Sequence, residues 1–483
     1  MTPDRDSSQI LFPPLPFDMH RRTREAVRDL PLRQAVMGAT TLKDDQRKAL
    51  ARAVFGDRHA ALRELAGRIK QHTLDHLDFH LEQFVVAAEA AGAQVHFAAA
   101  GAEANAICLD IARRERCKLC VKGKSMVTEE THLLRALEEA GIETWETDLA
   151  EFILQLDGDA PSHIVTAMIH KDRTAVGRAF ERELGVPYTD DPEALTRIAR
   201  DFLRDKYRQA DLGVTGANFL VADTGSIVLC TNEGNGRFCA TSPRVHIALA
   251  GIEKLVPSYE HLTVLLKLLA RTSTAQPLTC YTNIITGPRR ADEHDGPEQL
   301  HIILLDNGRT GILADSEFRE ALRCIRCGAC LNACPVYRSV GGHSYGSVYS
   351  GPIGSVITPL LRGLANYGDL PNASSLCGAC GEACPVKIDL PGLLIGLRRG
   401  MVDRKLFSLT ERLMMRVYAW SLKRSWVYRV GQFAQRIGLR MIADRDGYVR
   451  RGMVGPLKKW TDVRDLPAPA KRSFGRWWDQ QNS

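Results

Sequence analysis

CIRCGACLNACP, residues 324–335, spaces Cys324, Cys327, Cys330 and Cys334 as Cys-x2-Cys-x2-Cys-x3-Cys and closes on Pro335. Such short spacings let three thiolates wrap one face of a cubane cluster, while a fourth cysteine held beside proline turns toward a second cluster. Thiolates are soft ligands that suit iron. Zinc sites favour separated pairs closing one tetrahedron, which this spacing does not resemble. A second run, CGACGEACP at 377–385, supplies Cys377, Cys380 and Cys384 before Pro385. By reciprocal sharing, Cys324, Cys327, Cys330 and Cys384 are expected to hold one [4Fe–4S] cluster, and Cys334, Cys377 and Cys380 a second. The position three before Cys377, where a fourth ligand is due, is Ser374. The second cluster is therefore left open between [3Fe–4S] and a [4Fe–4S] completed by Ser374, by Cys239 or Cys280, or by an exogenous group.

Outward from these runs, the 42 residues from Pro335 to Leu376 exceed the tight loops of small ferredoxins. A helix is expected over Ile353–Leu364 despite Pro359, and another over Ser316–Arg323 just before the first cysteine. Residues 312–396 thus read as an α-helical two-cluster segment, a relay rather than a site of bond chemistry. It resembles the helical two-cluster ferredoxin domains of succinate dehydrogenase iron–sulfur subunits and heterodisulfide reductase-like proteins.

Upstream, residues 71–311 alternate between strand and helix patterns, which argues for βαβ units and a mostly parallel sheet. Strands are expected at Gln94–Ala99, Lys118–Val121 and Ile142–Glu146, with helices at Glu103–Arg114 and Glu129–Ala140. Further strands, Asn218–Ala222, Ser226–Leu229, His246–Ala250, Thr279–Ile285 and His301–Leu305, are expected to continue the same sheet around a helix at Tyr259–Arg271. Residues 1–70 read as helical, notably Asp44–Phe55 and Ala60–Ile69.

The charge of +7 is unevenly placed. From Leu397 to Ser483 there are 20 Lys/Arg against 7 Asp/Glu, about +13, which leaves about −6 on the rest. A basic extension over 397–483, expected to be helical, suits an acidic partner or an anionic membrane surface. Its tryptophans, Trp420, Trp426, Trp460, Trp477 and Trp478, could also serve nucleic acid, but the cysteine runs favour partner or membrane docking, and no nucleic acid is expected. The N-terminus lacks a basic start followed by an apolar run, and no stretch approaches the ~18 apolar residues of a span. The expected location is cytoplasmic, peripheral to the inner face of the membrane at most, where thiols stay reduced and available to metal.

Several phrases in the α/β region carry candidate chemistry. VKGKSMVTEE (121–130) would set Lys122, Lys124 and Ser125 at a helix N-terminus, an anion site in principle. ETDLAEFILQL (146–156) puts Glu146 and Asp148 after a strand, where acid–base work competes with ordinary capping. Glu233, Asn235 and Arg237 lie in the Gly-rich turn of GVTGANFLVADTGSIVLCTNEGNGR (213–237), and could line a pocket or only shape the turn. His163 and His170 would lie two turns apart on a short helix, with no clear carboxylate partner for metal. Cys117 and Cys120 read as packing residues. GIEKLVP (251–257) and DNGR (306–309) complete the set.

In this order, followed by the cysteine runs, these phrases resemble the lactate utilization protein B family. The resemblance covers nearly the whole chain. It implies an LUD domain of the CoA-transferase/formyltetrahydrofolate cyclo-ligase type, a two-cluster domain and a basic C-terminal extension; serine at 374 is similar to the family pattern. It further implies an iron–sulfur electron-transfer subunit of a three-component system oxidising L-lactate to pyruvate, working with a cysteine-rich A-type and an LUD-containing C-type subunit. The catalytic residues stay unassigned. The rival readings are a redox- and anion-sensing regulator, or the same relay serving another 2-hydroxy acid.

Overall fold

The computed structural model describes residues 10–450, 458, 461, 464–470 and 472–481, so Trp460 lies outside the described residues. Residues through Arg404 form one compact unit and those from Lys405 a second. In the first, helices Met19–Arg28 and Leu30–Phe55 start on aspartate caps: Asp18 accepts the Arg21 N–H and Asp29 the Leu32 N–H. Helix Arg58–Asp75 follows and runs through residue 70.

The α/β region holds two sheets. Six parallel strands lie in the order β1 (Gln94–Ala98), β10 (Gln299–Leu305), β7 (Val245–Gly251), β4 (Leu212–Thr215), β2 (Leu119–Lys122) and β3 (Glu143–Glu146). Every residue of β2, β4 and β7 is buried, as a parallel sheet covered on both faces requires. One apolar layer unites Ile111, Leu133 and Leu137 with Val214 and Ile247.

Of the further strands expected in that sheet, His246–Ala250 and His301–Leu305 lie in it, within β7 and β10, but Asn218–Ala222, Ser226–Leu229 and Thr279–Ile285 do not. β5 (Phe219–Val221), β6 (Ser226–Thr231), β8 (Leu255–Val256) and β9 (Tyr281–Ile285) form a separate four-stranded sheet in the order β8-β5-β6-β9. A tight hairpin makes β5 and β6 antiparallel, so they cannot extend the parallel ladder. Its turn residue Gly225 sits at φ 65°, where a Cβ would lie 2.2 Å from the Ala88 nitrogen of helix Leu77–Ala90.

Other expectations shift locally. The helix expected at Glu129–Ala140 is two, Met126–Thr131 and Leu133–Glu139, broken at His132 with φ 59°. Ser316–Arg323 is not an α-helix; only Arg319–Arg323 forms a 3-10 turn. Residues 163–170 form turns instead of the short helix expected. Helix Gly351–Arg362 forms with Pro359 inside it.

The N-terminal helices pack on the cysteine segment. Arg63 donates to the carbonyls of Cys384 (2.8 Å) and Gly381 (3.0 Å), and Lys387 pairs with Glu64 at 2.7 Å. A Cβ on Gly67 would lie 2.9 Å from the Val386 carbonyl oxygen, so glycine permits this close approach.

The second unit contains helices Leu409–Leu422 and Ser425–Ile442, neither of which buries a residue, and a short pairing of Tyr448–Val449 with Leu466–Pro467. Leu409, Leu413, Trp426, Phe433 and Met441 are among its exposed apolar side chains. Among the described residues, no helix is long and apolar enough to cross a membrane.

Candidate cluster sites and the adjoining cavity

Cys324, Cys327, Cys330 and Cys384 line one cavity, walled by Ile164, Ile325, Ile353, Ile388 and Leu390. The Arg326 N–H points at Cys324 Sγ (3.4 Å) and the Ile388 N–H at Cys384 Sγ (3.4 Å). Burial pushes the Cys327, Cys330 and Cys384 thiols up, Cys384 to about 11, and neighbouring sulfurs push each the same way. A dry pocket that opposes free thiolates suits thiolates bound to a metal, which deprotonates a coordinating thiol outright. The donor set, the apolar wall and the N–H groups aimed at sulfur fit an iron–sulfur cluster.

Cys334, Cys377 and Cys380 form a second set. Burial raises the Cys334 and Cys380 thiols, Cys380 to about 11, and both feel the Cys377 sulfur. Cys377 itself is exposed. The two loops repeat one backbone course. Arg326 and Leu376 both adopt positive φ (59° and 55°), as do Gly328 and Gly378 (75° and 84°). The short helices Ala329–Ala333 and Ala379–Ala383 follow. In this repeat Ser374 stands where the first loop has Cys324. Its Oγ accepts the Leu376 N–H at 3.1 Å, as Cys324 Sγ accepts that of Arg326. The other suggested sulfurs belong to the α/β region. Cys239 is buried against Leu119 and Val121 with Sγ 3.2 Å from the Thr147 hydroxyl, and Cys280 is exposed beside β9. Cys117 and Cys120 are buried in the core of the parallel sheet.

Beside the first set, a second cavity opens at the carboxyl ends of β2, β3, β4 and β7, where ligands of parallel α/β sheets commonly sit. It brings together Lys124, Ser125, Asp148, Glu233 and Asn235, all singled out in the sequence. It also takes Lys254, Arg326 and Tyr349, which were not. Arg326 and Ile164 belong to both this wall and that of the four cysteines.

Lys122, Glu146, Arg237, His163 and His170 do not line this cavity. Lys122 is fully buried and pairs with Glu146 (2.6 Å) and Glu129 (3.1 Å); these acids outweigh burial and raise its pKa. Burial pushes the Glu146 carboxyl up to about 7. Ser125 and Asp148 cap short helices, Asp148 by accepting the Ala150 and Glu151 N–H groups. Arg237 is exposed and does not line the cavity. His163 and His170 share no metal position. His163 Nδ1 accepts two backbone N–H groups and its Nε2 meets Asn332, whereas His170 meets Ser162 and Asp159. Lys171 Nζ lies 2.8 Å from the same Asp159 oxygen, filling the place a cation beside His170 would take.

Residues 81–305 match the LUD domain, 320–388 the 4Fe-4S dicluster domain and 400–483 the C-terminal domain of lactate utilisation protein B. The chain is 47% identical over 417 residues to lactate utilization protein B of Bacillus cereus, covering 86% of this chain and 87% of that one. The chain belongs to the lactate utilization protein B family. Family members from Bacillus thuringiensis and Bacillus anthracis match at the same identity and coverage. A solved DUF162 family protein from Deinococcus radiodurans aligns over 47% of this chain and 98% of its own, at 15% identity and a TM-score of 0.28.

In this lactate utilization protein B family member, the quoted phrases converge on one buried ion network. Arg309, from DNGR, grips Glu130 through both terminal nitrogens (3.0 and 2.9 Å) and Glu253 through Nε (2.6 Å). Arg326 reaches the same Glu253 at 3.5 Å, and the Tyr349 hydroxyl donates to Glu130. Arg309, Arg326 and Lys254 outweigh burial and hold Glu253 at about 2. The network ties three phrases of the α/β region to the residue between Cys324 and Cys327.

Proposed function

We propose that this chain is the iron–sulfur electron-transfer subunit of a three-component system oxidising L-lactate to pyruvate, acting with A-type and C-type companions. Its family membership and its 4Fe-4S dicluster domain support the reading. The observation that carries it is the pair of repeated cysteine loops, one of which opens onto the cavity of the α/β region. Cys324, Cys327, Cys330 and Cys384 hold the first cluster. Cys334, Cys377 and Cys380 hold the second, with the Ser374 hydroxyl completing a [4Fe–4S] set by its equivalence to Cys324. When bound, the clusters supply one-electron carriage. The chain's own contribution is to keep the first set dry, to aim N–H groups at its sulfurs and to leave Cys377 at the surface.

The basic extension is the docking element in this reading. Its helices expose apolar side chains alongside arginines, which suits a partner subunit or an anionic membrane surface. The test is anaerobic purification, iron and sulfide analysis, and EPR before and after lactate is added with both companion proteins. Lactate-dependent reduction of two interacting clusters is the expected result. Clusters that stay oxidised with lactate, yet reduce with dithionite, would sink the relay and favour a sensor.

A further inference from the structure

We propose that the cavity at the carboxyl ends of β2, β4 and β7 binds a small monocarboxylate, seated on Arg326 and Lys254, and that this anion is electrostatically coupled to the cluster of the Cys324 set. The coupling half rests on the ligand set proposed above; the binding half does not.

Arg326 carries the argument. Its side chain is only 8% exposed, yet Nη1 has no hydrogen-bond partner. The guanidinium stacks 4.5 Å over the Tyr349 ring; its Nη2 lies 3.5 Å from Glu253 Oε1, the oxygen left open by Arg309, which binds Oε2 at 2.6 Å, so Glu253 engages one edge of the guanidinium and Nη1 stays unpartnered. A buried donor left open is costly, and a planar guanidinium is the side chain best shaped for a carboxylate. Lys254 lines the same cavity at 7% exposure, with no hydrogen bond or ion pair for its ammonium among the described residues. Burial lowers its pKa to about 8, which an anion beside it would reverse. The Cys324 sulfur is also a charge neighbour of Lys70, Lys254 and Arg326, so these cations face the first cysteine set as well as the cavity.

The cavity's other features select the anion. Its volume is about 230 Å³, below the ~300–1,000 Å³ typical of drug-sized ligands, so a dinucleotide does not fit. Two acids, Asp148 and Glu233, face three cations, Lys124, Lys254 and Arg326, so the lining balances a single negative charge better than a doubly charged phosphate and suits one carboxylate with a neutral hydroxyl or keto oxygen. Arg326 belongs to both cavity walls, so charge added on one side is felt on the other. By linkage, an anion bound here makes the cluster harder to reduce, and reduction weakens the anion equally.

The experiment is equilibrium binding of labelled pyruvate to the full, anaerobically reconstituted chain, oxidised and dithionite-reduced, with inorganic phosphate as competitor. Iron content and EPR are recorded on every sample. Lys254→Met and Arg326→Gln are each expected to weaken pyruvate about tenfold or more, with iron content unchanged in Lys254→Met, which stands outside the cysteine motif. Weaker binding after reduction, with a matching fall in cluster potential of about 59 mV per tenfold, establishes the coupling. Unchanged binding in Lys254→Met, with an altered EPR signal, would assign these cations to the cluster alone and overturn the site. Phosphate competing as well as pyruvate would overturn the choice of carboxylate. Pyruvate binding without the expected iron would keep the site and remove the ligand set instead.

Discussion

The two cysteine loops follow the same backbone course into different surroundings. In the first, four sulfurs face a dry, apolar cavity, Arg326 sits between Cys324 and Cys327, and the Lys70 and Lys254 ammonium groups are buried nearby. In the second, Leu376 replaces that arginine, Ser374 replaces the first cysteine, and Cys377 is exposed. Cluster potentials respond to net charge, hydrogen bonds to sulfur and solvent exposure. The same loop therefore yields two sets of sulfurs whose surroundings differ in charge and in exposure. The first looks inward to the cavity and the second outward to solvent, which is the polarity a relay between a bound small molecule and another protein needs.

The largest effect should come from removing one ligand of the first set. Cys327→Ser is expected to lose roughly half the iron and all lactate-dependent flow, while circular dichroism shows the α/β region still folded. Retained flow after that loss would break the relay. Next, Ser374→Ala should convert the second centre to one with an oxidised-state [3Fe–4S] EPR signal, and Ser374→Cys should keep close to eight irons with a changed reduced-state spectrum. Identical spectra in both variants would end the equivalence of Ser374 with Cys324.

The surroundings can be compared through stability. Glu253→Gln leaves Arg309 and Arg326 short of a buried partner and should cost about 3 kcal/mol in thermal or denaturant unfolding. The exposed Glu382→Gln, in the second loop, should change stability by less than about 0.5 kcal/mol. Equal losses would erase the contrast. A smaller effect is read from pH. Burial holds Lys70 at about 7 in the folded chain, against about 10.4 when unfolded. Between these values the unfolded chain binds the extra proton, so this group makes stability rise with pH. From pH 7 to 9 the wild type should gain about 2 kcal/mol relative to Lys70→Met. Parallel pH profiles would show that Lys70 does not titrate in that window.

How much of this was legible depended on how local the signal was. The cysteine loops were readable because all their information lies within a dozen residues, and even the departure at Ser374 declared itself by position. The parallel sheet was readable from alternation, but β4 was not. It is four residues long and contains Gly213, whose Cβ would lie 1.8 Å from the Cys239 carbonyl oxygen, so packing rather than strand propensity selected the residue. The second sheet was hidden because Phe219–Val221 and Ser226–Thr231 look like any other buried strands until the hairpin reverses one of them. Part of the cavity was foreshadowed by Lys124, Ser125, Asp148, Glu233 and Asn235. Two of its cations were missed because Lys254 and Arg326 belong to different phrases, and only the fold makes them neighbours.

The grip of Arg63 on the carbonyls of Cys384 and Gly381 spans 321 and 318 residues. At ~5–20 residues per second, the helix carrying Arg63 leaves the ribosome roughly 15–60 s before its partners exist. Cys324, Cys327 and Cys330 also emerge ahead of Cys384, the last sulfur of their set. The nascent chain must therefore keep the helix waiting through most of its own synthesis, and the three-sulfur half-site unsealed for the 54 to 60 residues that separate it from Cys384. The four-sulfur set can close only once about four-fifths of the chain has been made.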